Sequence, residues 1–171
     1  NETIIFVSNH QSTFDIPPIG WFFRKNNPKF VSKIELGKGI PSVSFNLRHG
    51  GAALINRKDP KQAISALVDF SKRIKEKKWG AIIFPEGTRS RNGALKRFST
   101  NGLKVIAKYN KDGYVVPLTI NNSWKVFKYG KFPLGIGSPI TITTHQPIKI
   151  DSLPFDELLA KTEKVIKDHI K

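Results

Sequence analysis

Two short polar motifs constrain this chain most, because each directly follows an apolar run of strand length. The first, NHQSTFD at residues 9–15, follows the run from Ile4 to Val7. The second, FPEGTRS at residues 84–90, begins at the end of the run from Ala81 to Phe84. In open α/β sheets, ligand-binding and catalytic groups gather at the carboxyl ends of the strands. The two motifs therefore predict an α/β fold with a functional site at one edge of its sheet.

Strand-like stretches recur along the chain and alternate with helical patterns, which favours a mixed α/β layer over an all-α or all-β fold. We predict strands at residues 3–7, 29–32, 51–55, 80–84, 114–120, 134–137 and 139–144. The sequence has no internal repeat, low-complexity segment or linker. Its 171 residues are enough to bury one core, so we predict one domain over residues 1–171.

The clearest helix follows Asp59, a good N-cap residue, with Pro60 at the first helical position and Gly80 just past the end. Its apolar residues recur at helical spacing and predict one buried stripe: Ile64, Leu67, Val68 and Ile74. Two further helices are predicted, over about residues 99–109 and after residue 154.

The strongest bulk property is a net charge of +16, from 29 Lys and Arg against 13 acidic residues. This charge attracts anionic partners such as nucleic acid, anionic lipid headgroups or phosphorylated small molecules. No zinc-finger spacing or aromatic-glycine RNA-binding signature is present, so we expect no nucleic acid partner. The lack of Cys excludes a thiol nucleophile, disulfides and thiolate metal sites. The acids are not paired and no two His have ligand spacing, so we predict no metal site.

His10 and Asp15 form the candidate catalytic pair. A His can take a proton from an alcohol while a carboxylate fixes its tautomer and stabilises the imidazolium. Residues five apart lie about 140° out of line on a regular helix, so the pair requires a turn before a helix starting near residues 13–15. Ser12 lacks the Gly-x-Ser-x-Gly context of a nucleophile, which favours direct attack by an acceptor hydroxyl. The other histidines, His49 among them, are interpreted as structural or solvated.

The second motif is a candidate anion clamp. Arg89 offers a planar fork that matches two phosphate oxygens, Gly87 allows a close backbone turn, and Thr88 can donate a hydroxyl hydrogen bond. Glu86 cannot bind a phosphate itself. We expect it to orient Arg89 or to accept from a substrate hydroxyl.

These motifs resemble the glycerolipid acyltransferase family, which contains the 1-acyl-glycerol-3-phosphate (lysophosphatidic acid) acyltransferases. The resemblance extends over about residues 4–120. Its blocks occur in the family's order: His10 and Asp15, KIEL at 33–36, GAALINR at 51–57, FPEGTRS at 84–90, and VVPL at 115–118. It implies a mostly parallel sheet flanked by helices.

The resemblance also implies an O-acyltransferase that needs no cofactor. Its acceptor would be 1-acyl-glycerol-3-phosphate, and its donor an acyl-CoA or an acyl carrier protein. It further implies that Lys33 and Arg57 contact phosphate or headgroup, and that Pro117 helps to form the acyl-donor site. Ordinary surface cations remain the alternative for Lys33 and Arg57, and an edge strand or bulge for Pro117.

Family members often carry an apolar N-terminal anchor. We therefore expect residues 1–171 to be a domain of a longer protein with an N-terminal membrane-associating segment. We expect that protein to lie on the cytoplasmic face of an anionic membrane. The aromatic run from Trp21 to Phe23 is interpreted as a lipid contact, an acyl-pocket wall or core packing. Two rival functions stay open: an acyltransferase for another acceptor, such as glycerol-3-phosphate or an aminolipid, and a noncatalytic basic module for anionic membranes or nucleic acid.

Overall fold

Seven strands and five α-helices are found in the part of the chain that the structure, a computed structural model, describes: residues 2–38, 41–130 and 132–171. The strands are β1 Ile4–Ser8, β2 Lys29–Lys33, β3 Ala53–Ile55, β4 Ala81–Ile83, β5 Tyr114–Asn121, β6 Thr141–Thr144 and β7 Ile148–Lys149. The α-helices are α1 Ile16–Phe22, α2 Pro41–His49, α3 Pro60–Glu76, α4 Thr100–Tyr109 and α5 Phe155–Asp168.

The strands form one sheet in the order β3-β2-β4-β1-β5-β6, and β7 also pairs with β5. Strands β1 to β5 run parallel to their neighbours in this order, whereas β6 and β7 are antiparallel to β5. The predicted mixed, mostly parallel sheet flanked by helices is therefore confirmed.

The central strand β1 contributes side chains to a core on each face of the sheet. Ile5 and Val7 are fully buried in the larger core, which contains residues of α3, α4 and α5. Phe6 points the other way, into a smaller core with Ile19 of α1. This alternation follows the period of two in a strand, and helices on both faces are what a parallel sheet requires.

The three predicted helices are confirmed. Asp59 caps α3 by accepting the backbone N–H of Gln62, and α3 buries Leu67 and Ile74 as predicted. Ile64 is predicted to be buried, but it is 52% exposed. It lines an open cavity between α3 and α4. Helices α4 and α5 each bury one stripe of side chains against the core: Leu103, Ile106, Ala107, Leu158, Leu159, Thr162 and Ile166.

The strand predicted at residues 134–137 is wrong. Gly135 instead donates its N–H to the carbonyl of Val126, which turns this segment back on the preceding one, and Gly137 has a φ of +82°. The sequence also gave no sign of β7 or α2. Strand β7 has two residues, and α2 buries only Ser44, so neither produces a periodic apolar pattern.

Pro117 lies inside β5 without interrupting the sheet. Its carbonyl accepts the N–H of His145, so its polar groups face away from β1. On that side β7 pairs with Tyr114 and Val115, and β6 pairs with residues 118–121. Position 117 falls between these two ladders, where a missing donor breaks no hydrogen bond.

The aromatic run after residue 20 is divided between surface and core. Phe23 packs on Phe6 with ring centroids 4.4 Å apart, whereas Trp21 and Phe22 are each 67% exposed. The Arg24 guanidinium lies 4.6 Å from the centre of the Trp21 ring. No helix in the described part of the chain combines the length and the apolar character needed to cross a bilayer.

Asn9 continues the pairing of β1 and β5 beyond the end of the ladder. Its side-chain amide donates to the carbonyl of Ile120 at 2.8 Å and accepts the N–H of the same residue at 2.7 Å. Asn9 is 1% exposed and Ile120 is fully buried, so water is not available to replace either bond. Asn9 thereby fixes the backbone that leads into His10.

We therefore expect Asn9→Ala to lower the free energy of unfolding by about 2–4 kcal/mol, because both backbone groups of Ile120 lose their partner. Urea denaturation measures this as a lower midpoint at constant slope. Asn46→Ala, on the exposed side of α2, is the matched control and should change the free energy by less than about 0.5 kcal/mol. Equal midpoints for the parent and Asn9→Ala would contradict this role for Asn9.

Candidate active site

The candidate residues of four neighbouring strands converge on one edge of the sheet. His10 follows β1, Lys33 ends β2, Arg57 follows β3 and Gly87 follows β4. These strands are parallel and adjacent in the order β3-β2-β4-β1, so their carboxyl ends meet. The sheet thus brings together residues up to 77 positions apart in the sequence, as expected for an open α/β sheet.

His10 and Asp15 are in direct contact. The Nδ1 of His10 lies 2.8 Å from Oδ2 of Asp15, and the side chains are 15% and 0% exposed. Asp15 Oδ2 also accepts the backbone N–H groups of Gln11 at 2.8 Å and Ser12 at 2.9 Å. The hydroxyl of Ser123 donates to the other oxygen, Oδ1. The buried carboxylate therefore has four donors, which compensate for its lost hydration.

A capped turn produces this geometry. Residues Thr13–Asp15 form a single 3-10 turn, and Ser12 caps it by accepting the N–H of Phe14 at 3.1 Å. The α-helix α1 begins only at Ile16. The turn that the five-residue spacing required is therefore present, and it folds Asp15 back onto His10.

Ser123 and Gln11 complete the support of Asp15, and the sequence did not reveal them. Ser123 lies just beyond β5, and its N–H is accepted by Oε1 of Gln11 at 3.1 Å. The contact of Ser123 with Asp15 spans 108 residues. A lone Ser after an apolar strand carries no recognisable signal, so only the fold could identify it.

Glu86 holds the backbone of His10 instead of orienting Arg89. Its Oε1 accepts the N–H of His10 at 2.7 Å, and its Oε2 accepts the N–H of Lys96 at 2.9 Å. The carbonyl of His10 accepts the N–H of Ser90 at 2.7 Å. Both polar groups of the His10 backbone are thus bound by the second motif. The expected contact between Glu86 and Arg89 is not among those of the described residues.

The ring of His10 is held by stacking and lies beside a tight turn. It stacks on Phe84 with centroids 4.2 Å apart and planes 20° from parallel. Gly87 has a φ of +69°, and a Cβ there would lie 2.9 Å from Nη1 of Arg57. Arg57 donates to the carbonyl of Gly87 from that nitrogen. The Arg57 side chain could move away from a Cβ, but the positive φ would still strain any other residue at this turn.

The rest of the second motif faces solvent. Thr88 and Arg89 are exposed, and Nζ of Lys96 donates to the Thr88 hydroxyl at 3.0 Å and to the Arg89 carbonyl at 2.8 Å. Lys96 therefore fixes the backbone beneath the Arg89 side chain. The Arg89 guanidinium forms no ion pair with another residue in the described ranges.

A cavity of about 560 Å³ opens between α3 and α4, and its lining includes Phe84 and Glu86, which contact His10. Its walls are mostly apolar, with Ile55, Ile64, Leu67 and Val105 among them. Phe84, Glu86, Gly87 and Arg57 line the end nearest His10. Partial burial lowers the pKa of the Arg57 guanidinium, while the carboxylate of Glu35 opposes that shift. Such a cavity can hold an apolar chain with a charged group at its mouth.

Two predicted site residues lie further from this centre. Lys33 is half-buried at the end of β2, opposite Ile55, which lines the cavity. Pro117 is buried in β5 opposite Val7 and is not among the residues that line the cavity. Among residues 2–38, 41–130 and 132–171, no three His, Asp or Glu side chains are grouped so that they could hold a metal ion.

Glu86 makes stability depend on pH. Burial is the main effect and raises the pKa of its carboxyl, while hydrogen bonds from the N–H groups of His10 and Lys96 oppose the shift. Between the ordinary value of 4.5 and this raised value, the folded protein therefore retains a proton that the unfolded chain has lost. The free energy of unfolding must then fall as pH rises through the interval between the two pKa values.

We therefore expect the stability of the parent, relative to Glu86→Gln, to decline as pH is raised from the ordinary Glu value through the raised one. Urea denaturation of both proteins over a pH series measures this difference. Repeating the pair in a His10→Ala background removes the titration of the adjacent imidazole. A difference that rises with pH would show that the hydrogen bonds outweigh burial.

Comparison with known proteins identifies several relatives of this chain. The Brassica napus protein BAT2, a chloroplastic 1-acyl-sn-glycerol-3-phosphate acyltransferase, is 29% identical over 144 residues, which cover 84% of this chain and 40% of the relative. A 1-acyl-sn-glycerol-3-phosphate acyltransferase of Helicobacter pylori is 33% identical over 124 residues, or 72% of this chain and 50% of that protein. The chain thus spans about two fifths to one half of the length of these relatives.

The fold is similar to a solved structure, that of the 1-acyl-sn-glycerophosphate (LPA) acyltransferase PlsC from Thermotoga maritima. The TM-score is 0.80 at 28% identity, with 98% of this chain and 65% of that chain covered. Residues 1–121 match the Acyltransferase family, and this range contains both motifs. The resemblance expected from the motifs is confirmed: the chain belongs to the acyltransferase family.

Proposed function

We propose that this chain transfers a fatty acyl group from a thioester to the free hydroxyl of 1-acyl-glycerol-3-phosphate and so forms phosphatidic acid. The observation that carries the proposal is the contact of His10 with the buried Asp15, 2.8 Å long, beside an apolar cavity edged by Arg57. The relatives named for this reaction support the choice of acceptor. The thioester would be an acyl-CoA or an acyl carrier protein.

His10 is arranged to act as a base through Nε2. The carboxylate of Asp15 already accepts two backbone N–H groups and a hydroxyl, so it is an acceptor toward the imidazole as well. The neutral His10 therefore carries its proton on Nδ1, which leaves the lone pair of Nε2 for the substrate. Stacking on Phe84 and the two backbone bonds of His10 hold the ring in that orientation.

The reaction then needs no covalent intermediate on the protein. Nε2 takes the proton of the acceptor hydroxyl while the hydroxyl oxygen forms a bond with the thioester carbonyl carbon. The tetrahedral intermediate expels the thiolate by breaking the C–S bond, and the imidazolium of His10 returns the proton to that sulfur. Asp15 stabilises the imidazolium between these steps. A positioned base of this kind contributes typically about 10²- to 10⁴-fold.

The cavity between α3 and α4 suits an acyl chain. Its volume of about 560 Å³ and its mostly apolar walls favour a long hydrocarbon over a polar ligand. Ile64 remains half exposed in that wall, and bound hydrocarbon would bury it. The acyl chain would end near Phe84, the lining residue that stacks on the ring of His10.

The acceptor phosphate is assigned to the cations on the exposed side of the second motif. Arg89 is exposed and its backbone is fixed by Lys96, so its guanidinium is available to a ligand. Arg57 is committed in part to the carbonyl of Gly87 and serves better to position the turn. Lys33 and Thr88 lie on the same edge of the sheet and are proposed as secondary contacts.

His10→Ala should abolish thiol release from acyl-CoA in the presence of 1-acyl-glycerol-3-phosphate, because it removes the imidazole that takes the hydroxyl proton. Asp15→Asn should lower kcat at least about 10²-fold, since the imidazole loses the acceptor that fixes its tautomer. Thiol release with a chromogenic disulfide measures both. The chain contains no Cys, so the protein itself gives no background signal.

Circular dichroism should show both variants folded, with His49→Ala as the matched control of unchanged activity. Near-normal turnover in His10→Ala would exclude the general-base role. A panel with glycerol-3-phosphate and an aminolipid identifies the acceptor, because a preference for either over 1-acyl-glycerol-3-phosphate would contradict the proposed substrate.

Arg89→Lys keeps the charge but loses the planar fork, so it should raise the acceptor KM about ten- to a hundredfold, or ~1.5–3 kcal/mol, with little effect on the donor KM. The control replaces Lys77 with Gln and Lys78 with Asn, which suits the φ of +54° at residue 78. This control removes two charges, yet it should change the acceptor KM less. An unchanged acceptor KM in Arg89→Lys would show that the phosphate binds elsewhere.

A further inference from the structure

The segment that joins β5 to β6, residues 122–140, exposes a cluster of apolar side chains. We call it the β5–β6 loop. Ile136 is 92% exposed and Phe132 is 87% exposed, and Tyr129 is 61% exposed. Single exposed apolar residues are common on soluble proteins, but several large ones in one short loop are typical of an interaction surface.

The loop holds these side chains outward because its neck is closed. Gly135 donates its N–H to the carbonyl of Val126 at 2.9 Å, and a Cβ on Gly135 would collide with the carbonyl of Lys125. Phe127 stacks on Phe14 with ring centroids 5.6 Å apart, which fastens the base of the loop to the first motif. Tyr129 and Phe132 lie within the segment that this bond closes, and Ile136 directly follows Gly135, so a folded loop presents these residues.

The charge of the loop points to an anionic partner. Residues 122–140 contain lysines but no Asp or Glu. Nζ of Lys128 lies 4.8 Å from the ring centre of Tyr129, and Nζ of Lys125 lies 5.9 Å from that of Trp124. Aromatic rings and lysines beside exposed aliphatic groups are the composition of a membrane-interface segment, where cations meet anionic headgroups.

The loop is also continuous with the catalytic pair. The Ser123 hydroxyl at its start donates to Asp15, and Phe14, which stacks on the loop, directly precedes Asp15. A surface that held the loop would therefore lie beside the mouth of the active site.

We propose that the β5–β6 loop docks on an anionic lipid bilayer, with Phe132 and Ile136 inserted below the headgroups and the lysines at headgroup level. Docking presents the active site to the bilayer surface, so that a lipid acceptor can reach His10 without entering water. The delivery of a lipid acceptor to His10 rests on the proposed function, whereas the docking of the loop does not. An acidic carrier protein would satisfy the lysines, but nearly complete exposure of Phe132 and Ile136 favours an apolar medium over a charged surface.

The chain has no Cys, so a single environment-sensitive fluorophore can report on the loop. Ile136→Cys, labelled with such a dye, should show a blue-shifted emission with phosphatidylglycerol-containing vesicles and a smaller shift with pure phosphatidylcholine. Raising the salt concentration should weaken the response. Phe45→Cys is the matched control, because Phe45 is 60% exposed on α2, and its label should not shift.

Phe132→Ser combined with Ile136→Ser should weaken binding to the same anionic vesicles on the order of a hundredfold, whereas Phe45→Ser should bind like the parent. Vesicle cosedimentation measures both, and circular dichroism verifies that the variants are folded. Parent-like binding of the double variant would overturn the proposal. A label at residue 136 that responds to acyl carrier protein but not to vesicles would overturn it in favour of a protein partner.

Activity separates this proposal from the proposed function. The double variant should release thiol normally with a short-chain acceptor dissolved as monomers, and at least about tenfold more slowly with the acceptor embedded in vesicles. Equal losses on both acceptors would overturn the docking role. If the parent releases no thiol with either acceptor, the proposed function fails, while the label at residue 136 still decides whether the loop docks.

Discussion

The geometry of the site depends on the buried carboxylate of Asp15. An ionised carboxyl without exposed surface is costly unless hydrogen bonds replace its hydration. Here the donors are the imidazole of His10, the N–H groups of Gln11 and Ser12, and the hydroxyl of Ser123. Each of these groups donates to a carboxylate oxygen. The carboxylate therefore stabilises the capped turn, and it also fixes the tautomer of His10. Asp15 thus stabilises the local turn and orients the imidazole that we propose as the base.

The second motif supports the first through the backbone. Glu86 accepts the N–H of His10 and Ser90 donates to its carbonyl, so the residue is bound on both sides by the loop after β4. Because β1 and β4 are parallel neighbours, the two loops leave the sheet at the same edge and can exchange these bonds. Burial raises the pKa of Glu86, which is the energetic cost of using a carboxylate for this purpose.

The sequence predicted those features that repeat or that depend on local chemistry. Apolar runs predicted six of the seven strands, and capping at Asp59 with a period of 3.6 predicted α3. The motifs identified His10 and Asp15 because their spacing permits a turn. Long-range contacts escaped prediction: Ser123 reaches Asp15 across 108 residues, and no property of an isolated Ser indicates this. The strand prediction at residues 134–137 is wrong because the apolar side chains of this segment face solvent in a loop whose glycines turn the backbone.

The parallel and antiparallel parts of the sheet contribute different residues to the candidate site. The parallel strands β1 to β4 carry the candidate catalytic and cationic residues, because parallel strands bring their carboxyl ends together. Strand β5 closes this array, and its antiparallel partners β6 and β7 cover its far side, where Pro117 needs no donor. The chain must therefore turn back after β5, and Ser123 at this reversal supports Asp15. The reversal places the exposed β5–β6 loop beside His10 and Asp15, so the proposed membrane contact and the proposed base depend on the same structural element.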